Sequence, residues 1–304
     1  MHALDIHQLH KTYANGVEAL KGIDLTVKKG DFFALLGANG AGKSTTIGVI
    51  TTLLTKSSGS ISIHGFDLDK QPQRAKACLG LVPQEINLNI FETCEQTLLN
   101  QAGYYGIMRR QALPYAESLL AQLGLYDKRR SIVRHLSGGM KRRLMIARAL
   151  VHQPKVLILD EPTAGVDIEI RRSMWDFLKR TNDQGTTIIL TTHYLEEAEQ
   201  LCKNIAIIDK GNIVENTSMR ILLKSLRHQT FVFTTIEPFE NLPLLTPFEG
   251  VKLDANTFEL RIDDTFTLNE VFSILSHHKL QIHSMRNKTN RLEELFLDLI
   301  HHEH

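Results

Sequence analysis

The chain has 304 residues, of which 42% are hydrophobic and 23% charged, a balance typical of a globular protein with room for two domains. Its 35 Lys and Arg residues nearly balance 34 Asp and Glu residues, so no broad basic surface for nucleic acid is expected. The N-terminus lacks a positive segment followed by an apolar one, and no run of 18 apolar residues occurs. We therefore expect neither a signal peptide nor a membrane-spanning segment.

The first 36 residues are predicted to form strands and turns. Apolar residues recur among polar ones over 4–9 and 23–27, which predicts two half-buried strands. Asn15 and Gly16 between them are a strong turn signal. An apolar run over 31–36 then predicts a buried strand.

A Gly-rich loop joins this strand to a helix predicted over 44–54 and fits the pattern of Gly, four residues, Gly-Lys-Ser/Thr. Glycines let the backbone approach an anion closely, and the N–H groups at the helix N-terminus would face phosphates. Lys43 would add a positive charge for the β- and γ-phosphates, and Ser44 would offer a hydroxyl to Mg²⁺. The predicted nucleotide-binding residues of this loop are Gly37, Ala38, Asn39, Gly40, Ala41, Gly42, Lys43, Ser44 and Thr45.

From about residue 90 to 152 apolar residues recur at helical spacing, which predicts a helical insertion in an α/β domain. Within it, Ser137 is a natural N-cap for a helix that runs to about Val151. Gly138 and Gly139 in the first turn cost roughly 1 kcal/mol each relative to Ala. We interpret these glycines as leaving bare backbone for a phosphate at the helix N-terminus.

Two later strands are predicted to end in polar side chains. A continuous apolar run ends at Asp160 and Glu161, and a β-branched run over 186–192 ends at His193. Ligands of open α/β sheets lie beyond the carboxyl ends of the strands, so we expect both acids beside the phosphate loop. One acid would bind Mg²⁺ and the other would face the attacking water. For His193 the pattern alone leaves a structural role and a phosphate contact open.

The character of the chain changes near residue 228, which predicts a first domain over 1–227 that contains the phosphate loop, and an α+β accessory domain over 228–304. The His-rich end over 301–304 is interpreted as a solvated tail rather than a metal site. The elements predicted in the second domain are strands over 230–236, 257–262 and 280–285 and helices over 267–278 and 291–300.

Five features in order resemble the ATP-binding subunit of an ABC transporter. They are the phosphate loop, Gln84 after a short strand, the run Leu136-Ser137-Gly138-Gly139-Met140, the Asp160-Glu161 strand end, and His193. The run over 290–296 resembles the terminal motif of drug-resistance-type export ATPases, and within that subgroup the chain resembles the YadG-like bacterial ATPases. The implied fold is α/β, a P-loop NTPase of ABC ATPase type. It has a mostly parallel sheet, an antiparallel N-terminal β portion and a helical insertion, followed by a small C-terminal α+β domain.

The resemblance implies catalytic and metal-binding roles. Glu161 would act as general base on water, and His193 would contact the γ-phosphate. Gln84 would contact Mg²⁺ or the attacking water. Asp160 and Ser44 would bind Mg²⁺. The implied catalytic residues are thus Glu161, His193, Gln84 and Lys43, and the implied metal ligands are Ser44, Gln84 and Asp160.

The resemblance also implies a dimer that encloses two ATP molecules. Tyr13 would stack on adenine, although Tyr13 by itself also fits an ordinary strand surface. Ser137, Gly138 and Gly139 would cap the γ-phosphate of ATP bound to the other subunit, and Asp167 would lie at the dimer seam. Met140 stands where the commonest family signature has Gln. The exporter subgroup often carries Met at this position.

The implied function is Mg-ATP hydrolysis in a homodimer that drives a separate polytopic membrane permease. This places the chain at the cytoplasmic face of the bacterial inner membrane, without a nucleic-acid partner. Two alternatives remain at this point. One is a soluble ABC ATPase of a non-transport complex, and the other is a nucleotide-sensing module without useful turnover.

Overall fold

The computed structural model describes residues 1–192, 194–224, 228–263, 265–288 and 292. The chain divides into two compact units, Met1–Ser218 and Met219–His304, each of which is described by itself. The predicted domain boundary, after residue 227, lies further along the chain than this division. The difference arises because the short helix Met219–Lys224 groups with the second unit.

The first unit alternates strands and helices along the chain. Its strands are β1 (His2–Thr12), β2 (Glu18–Lys28), β3 (Phe32–Leu36), β4 (Ser58–Ile63), β5 (Phe66–Asp67), β6 (Leu79–Val82), β7 (Val156–Asp160), β8 (Thr187–Thr191), β9 (Asn204–Asp209) and β10 (Asn212–Ser218). Its helices are α1 (Lys43–Ile50), α2 (Pro72–Ala77), α3 (Cys94–Tyr104), α4 (Arg109–Gln122), α5 (Gly138–Leu150), α6 (Ile168–Asp183) and α7 (Leu195–Leu201). Short 3₁₀ turns cover Tyr126–Lys128 and Val133–His135.

A six-stranded sheet in the order β10-β9-β3-β8-β7-β6 forms the centre of this unit. Strands β9, β3, β8, β7 and β6 are parallel, and only β10 at one edge of this sheet is antiparallel. All residues of β3 and β8 are buried, as expected for parallel strands covered on both faces. The carboxyl ends of the parallel strands therefore meet at one edge of the sheet.

The N-terminal β portion is a second sheet in the order β2-β1-β4-β5, with antiparallel pairing throughout. The turn predicted at Asn15 and Gly16 lies between β1 and β2, and Gly16 adopts a φ of 83°. A hairpin near Lys210 joins β9 to β10 of the central sheet, since Asp209 pairs with Asn212 across the turn.

The helical insertion is present and contains α3, α4 and α5. Thr93 and Gln96 form a reciprocal capping box at the start of α3. Gly124 follows the C-cap residue Leu123 of α4 with a φ of 64°, a left-handed conformation that is common just after a helix. Leu98, Ala116, Leu119 and Leu120 are buried, in agreement with the helical spacing.

The second unit has an antiparallel sheet and its own core. Its elements are α8 (Met219–Lys224), β11 (His228–Thr235), β12 (Glu249–Lys252), β13 (Thr257–Asp263), α9 (Leu268–His277) and β14 (Ile282–Asn287), with strand order β12-β13-β11-β14. Phe231, Phe233 and Phe258 lie in this core. Strand β12 was not among the predicted elements, because all four of its residues are exposed and carry no apolar alternation. The helix predicted over 291–300 and the His-rich end lie outside the described residues, apart from Leu292.

Among the residues that the structure describes, no helix is both long enough and apolar enough to cross a bilayer.

Candidate nucleotide-binding site

The loop between β3 and α1 has a geometry that requires glycine at two positions. Gly42, the N-cap of α1, has a φ of 118°, and a Cβ there would lie 3.0 Å from the Ala19 carbonyl oxygen. A Cβ on Gly37 would lie 2.3 Å from the Ile208 carbonyl oxygen. No side chain caps the N-terminus of α1. Its first-turn N–H groups therefore need an acceptor from outside the helix, which a phosphate can supply.

Lys43 at the start of α1 is 8% exposed and folds back over its own loop. Its Nζ donates to the carbonyl oxygens of Gly37 at 2.7 Å and Ala38 at 3.0 Å. An ammonium group has three donors, so capacity remains for a phosphate oxygen. Burial lowers the Lys43 pKa, while Glu161 and Asp160 oppose that shift by favouring the charged form.

The two carboxylates at the end of β7 lie in different environments. Asp160 accepts a hydrogen bond from the Thr191 hydroxyl on the neighbouring strand β8. Burial raises the Asp160 pKa, and the charge of Glu161 adds to that rise, against the opposing effects of Thr191 and Lys43. Glu161 has a left-handed backbone with a φ of 48°, and its Oε2 accepts a hydrogen bond of 2.9 Å from Gln84 Nε2.

A cavity of about 150 Å³ lies at this edge of the sheet and brings the two predicted halves of the site together. The phosphate loop forms one wall, and Gln84 with the two carboxylates forms the other. Its lining residues are Asn39, Gly40, Gly42, Lys43, Ser44, Thr45, Gln84, Asp160 and Glu161. Gly37, Ala38 and Ala41 belong to the same loop without lining the cavity.

Other predicted residues do not line this cavity. The Tyr13 hydroxyl is 3.1 Å from Thr45 Oγ1, which places this ring beside the phosphate loop. Ser137 Oγ accepts a hydrogen bond of 3.3 Å from Met140 N, in agreement with its prediction as an N-cap. Gly138 is exposed, and nothing lies within 4 Å of a Cβ built there. Asp167 is exposed at the N-cap of α6.

His193 lies outside the described residues, directly after β8 and Thr192.

Sequence reasoning missed two buried charged residues. Arg142 on α5 is 5% exposed and donates to the carbonyl oxygens of Pro83 and Gln84. Glu197 on α7 is fully buried and accepts hydrogen bonds of 2.9 Å from Thr163 Oγ1 and Trp175 Nε1. Burial raises the Glu197 pKa, partly opposed by these hydrogen bonds. Neither residue belongs to a spacing pattern, since each is defined by tertiary contacts.

A phosphate loop before a helix, opposed by two acidic residues at the carboxyl edge of a parallel sheet, defines a P-loop nucleotide-binding domain. The comparisons with known proteins narrow this class. A family model described as ABC transporter matches residues 20–164. The chain is 35% identical over 97% of both chains to the linearmycin resistance ATP-binding protein LnrL of Bacillus subtilis (strain 168). It is 36% identical over 88% of both chains to the Nod factor export ATP-binding protein I of Burkholderia thailandensis (strain ATCC 700388).

A solved structure resembles it as well, with a TM-score of 0.65 and 26% identity over 71% of this chain and 99% of the other. That structure is a dimeric ATP-binding cassette in a post-hydrolysis state with ADP and phosphate. The chain therefore belongs to the ATP-binding proteins of ABC transporters, and it binds and hydrolyses ATP. The predicted fold class is confirmed. ATP-binding subunits of this family dimerise and work with membrane permeases.

Proposed function

We propose that the chain is the ATPase subunit of a bacterial exporter. It binds Mg-ATP in a head-to-tail homodimer and drives a separate polytopic permease at the cytoplasmic face of the inner membrane. The observation that carries the proposal is the cavity in which Lys43, Ser44, Gln84, Asp160 and Glu161 converge. Export, rather than import, is supported by the resistance and export functions in the names of the relatives.

Hydrolysis in this cavity needs a base for the attacking water, and Glu161 is the proposed base. The water would lose a proton to the Glu161 carboxylate as its oxygen bonds to the γ-phosphorus. The bond between that phosphorus and the β–γ bridging oxygen breaks, and the oxygen leaves with ADP. Gln84 donates to Glu161 Oε2 and would thereby aim the carboxylate. His193 keeps its proposed contact with the γ-phosphate, and Tyr13 its proposed stacking on adenine.

The donor set of the cavity also fits Mg²⁺. The Ser44 hydroxyl, the Gln84 amide and the Asp160 carboxylate supply oxygen ligands, which this ion prefers, and phosphate oxygens complete its shell. Among the described residues no group of three or more His, Cys, Asp or Glu could hold a metal, which suits an ion held largely by the nucleotide. When bound, the ion neutralises charge on the phosphates.

A second copy of the chain would complete each site. The N-terminus of the 13-residue helix α5 is open at Gly138 and lies outside the cavity. Internal packing gives no reason for a bare backbone at Gly138, whereas a phosphate held by another subunit does. Ser137, Gly138 and Gly139 would therefore cap the γ-phosphate of the partner's ATP, with the exposed Asp167 at the seam.

A groove between the parallel-sheet core and the helical insertion is the proposed contact for the permease. Its volume is about 200 Å³, and its lining includes Leu53, Leu81, Tyr105 and His152. Leu53 is 72% exposed, and the ring of Tyr105 stacks on His152 with centroids 3.6 Å apart. A cytoplasmic segment of the permease would cover this apolar surface.

Substitution Glu161→Gln tests the proposed base. ATP binding should persist, turnover should fall by roughly 100-fold or more, and ATP-bound dimers should accumulate. Phosphate release and size-exclusion chromatography with Mg-ATP measure these effects. Turnover at the parental rate would show that Glu161 is not the base. As a companion, Lys43→Ala should lose most nucleotide affinity, and retained micromolar binding would contradict the proposed role of the loop.

The groove is tested by Leu53→Asp in the full chain. The charged side chain should reduce recovery of the permease with the tagged protein from gently solubilised membranes, as measured by mass spectrometry. The matched control is Leu244→Asp, since Leu244 is 84% exposed and lies in the second unit. Nucleotide affinity should be unchanged in both variants. Recovery of soluble partners instead of a polytopic membrane protein would favour an ATPase of a non-transport complex.

A further inference from the structure

Helix α5 carries one arginine that grips the chain segment leading to Gln84. Arg142 Nη1 donates to the Pro83 carbonyl oxygen at 2.8 Å, and Nη2 donates to the Gln84 carbonyl oxygen at 2.6 Å. The two hydrogen bonds come from the two ends of one planar guanidinium. They therefore fix both the position and the orientation of two consecutive carbonyl groups.

The hydrogen bonds of this segment extend to the proposed base, Glu161. Gln84 is held by its own carbonyl oxygen to Arg142, while its side chain donates to Glu161 Oε2 at 2.9 Å. Arg142 also interacts electrostatically with the two carboxylates. Burial lowers the Arg142 pKa, and Asp160 and Glu161 oppose that shift by favouring its charged form. A contiguous chain of polar contacts thus runs from α5 to the carboxylate that faces the cavity.

Neighbouring arginines on the same helix hold different parts of the molecule. Arg143 Nη1 donates to the Leu123 carbonyl oxygen at the end of α4, inside the helical insertion. Arg148 donates to the backbone and side-chain oxygens of Asn87 at 2.9 and 2.6 Å. The chain of contacts through Gln84 to Glu161 therefore starts at Arg142 and bypasses both of these neighbours.

We propose that Arg142 is a positioning residue, which couples the orientation of α5 to Gln84 and through it to Glu161. The inference rests on the roles proposed above for Gln84 and Glu161. The N-terminus of α5 is the end that would meet ATP on the partner subunit. If α5 moved when it bound that ATP, the Pro83 and Gln84 carbonyl groups would move with it. This movement would change the orientation of Glu161 in the same subunit. The orientation of Glu161 in each subunit would thus depend on whether ATP is bound to the partner subunit.

The test uses Arg142→Lys, Gln84→Ala and the double variant, with Arg143→Lys as the matched control. An ammonium is a point charge and cannot bridge two carbonyls as a fork does. Arg142→Lys should therefore lower kcat on the order of 10-fold with KM within about twofold, since misplacement of a reacting group affects the chemical step. Arg143→Lys should leave both constants near the parental values. In the Gln84→Ala background, Arg142→Lys should cause little further loss, because two residues on one path are not additive.

Amide hydrogen exchange in the nucleotide-free proteins gives a readout that does not depend on turnover. Exchange over residues 84–90 should be faster in Arg142→Lys than in the parent and in Arg143→Lys. Unchanged exchange, or kcat losses that multiply in the double variant, would overturn the proposal. If Arg142→Lys does not fold, Arg142→Gln, which retains a donor for one carbonyl, is carried through the same cycle. A failure of the proposed base itself would appear separately, as retained turnover in Glu161→Gln.

Discussion

At the scale of single residues, the site contains a carboxylate that is held where its charge is unfavourable. Burial and the neighbouring Glu161 raise the Asp160 pKa despite the Thr191 hydrogen bond. The folded protein therefore binds this proton more tightly than the unfolded chain does. Above the folded pKa, the ionised Asp160 is a cost to stability; that cost declines as the pH falls below this pKa and is gone below the ordinary Asp pKa of 3.8. A charge kept at such a cost is typical of a functional site.

Asp160→Asn should therefore raise the Tm of the nucleotide-free protein at pH 7, because the buried charge is removed while an acceptor for Thr191 remains. The gain should shrink as the pH is lowered through the Asp160 pKa, and Mg-ATP should no longer stabilise the variant as it does the parent. Thermal unfolding across pH measures both effects. Asp254→Asn is the control of opposite sign. Asp254 accepts a hydrogen bond from Asn256 N that lowers its pKa by favouring the ionised form, so removal of the negative charge should lower the Tm. A lower Tm for Asp160→Asn at pH 7 would contradict this account.

At the scale of elements, the first turn of α5 contains a glycine, Gly138, that does not contribute to the stability of the helix. An Ala side chain at Gly138 meets nothing within 4 Å, so it adds no clash within the chain. Ala also has a higher helix propensity than Gly. The phosphate proposed to approach this helix end from the partner subunit would account for the glycine.

Gly138→Ala should be neutral or stabilising by at most about 1 kcal/mol, yet reduce ATP hydrolysis roughly 10-fold or more by blocking close approach of the γ-phosphate. Gly103→Ala in α3 is the matched control, because a Cβ there also meets nothing within 4 Å. It should show the same stability change with unaltered turnover. Denaturant unfolding and phosphate release measure the two properties. Full turnover in Gly138→Ala would argue against a phosphate at this helix end.

Elements with a strong apolar signal were predictable, and weak ones were not. β3, β7 and β8 are almost fully buried, so their continuous apolar runs identify them from sequence. β5 has two residues, and α2 has one buried residue among six. Such short, exposed elements owe their conformation to neighbours and show no periodicity. The ends of α1 were also uncertain, since it stops at Ile50 rather than at the predicted Leu54.

At the scale of the whole molecule, the convergence of these residues could be predicted because the topology of a parallel sheet brings the ends of its strands together. Gln84 and Asp160 are far apart in sequence, yet they follow the neighbouring parallel strands β6 and β7 and so reach the same cavity. Arg142 could not be found in this way, since its sequence neighbours Lys141 and Arg143 make it look like part of a basic surface. Its burial depends on how α5 packs, which the sequence pattern does not specify.

The position of the α5 N-terminus outside the cavity has a genetic consequence. If each site takes Lys43 from one chain and Gly138 from the other, a chain with Lys43→Ala and a chain with Gly138→Asp carry lesions in different halves of the site. In a mixed dimer both lesions fall in one site, and the other site is intact. Two inactive variants should therefore complement each other, with roughly a quarter of all sites restored when pairing is random. Mixing the purified variants and measuring phosphate release tests this, and a site contained within one chain would give no recovery at all.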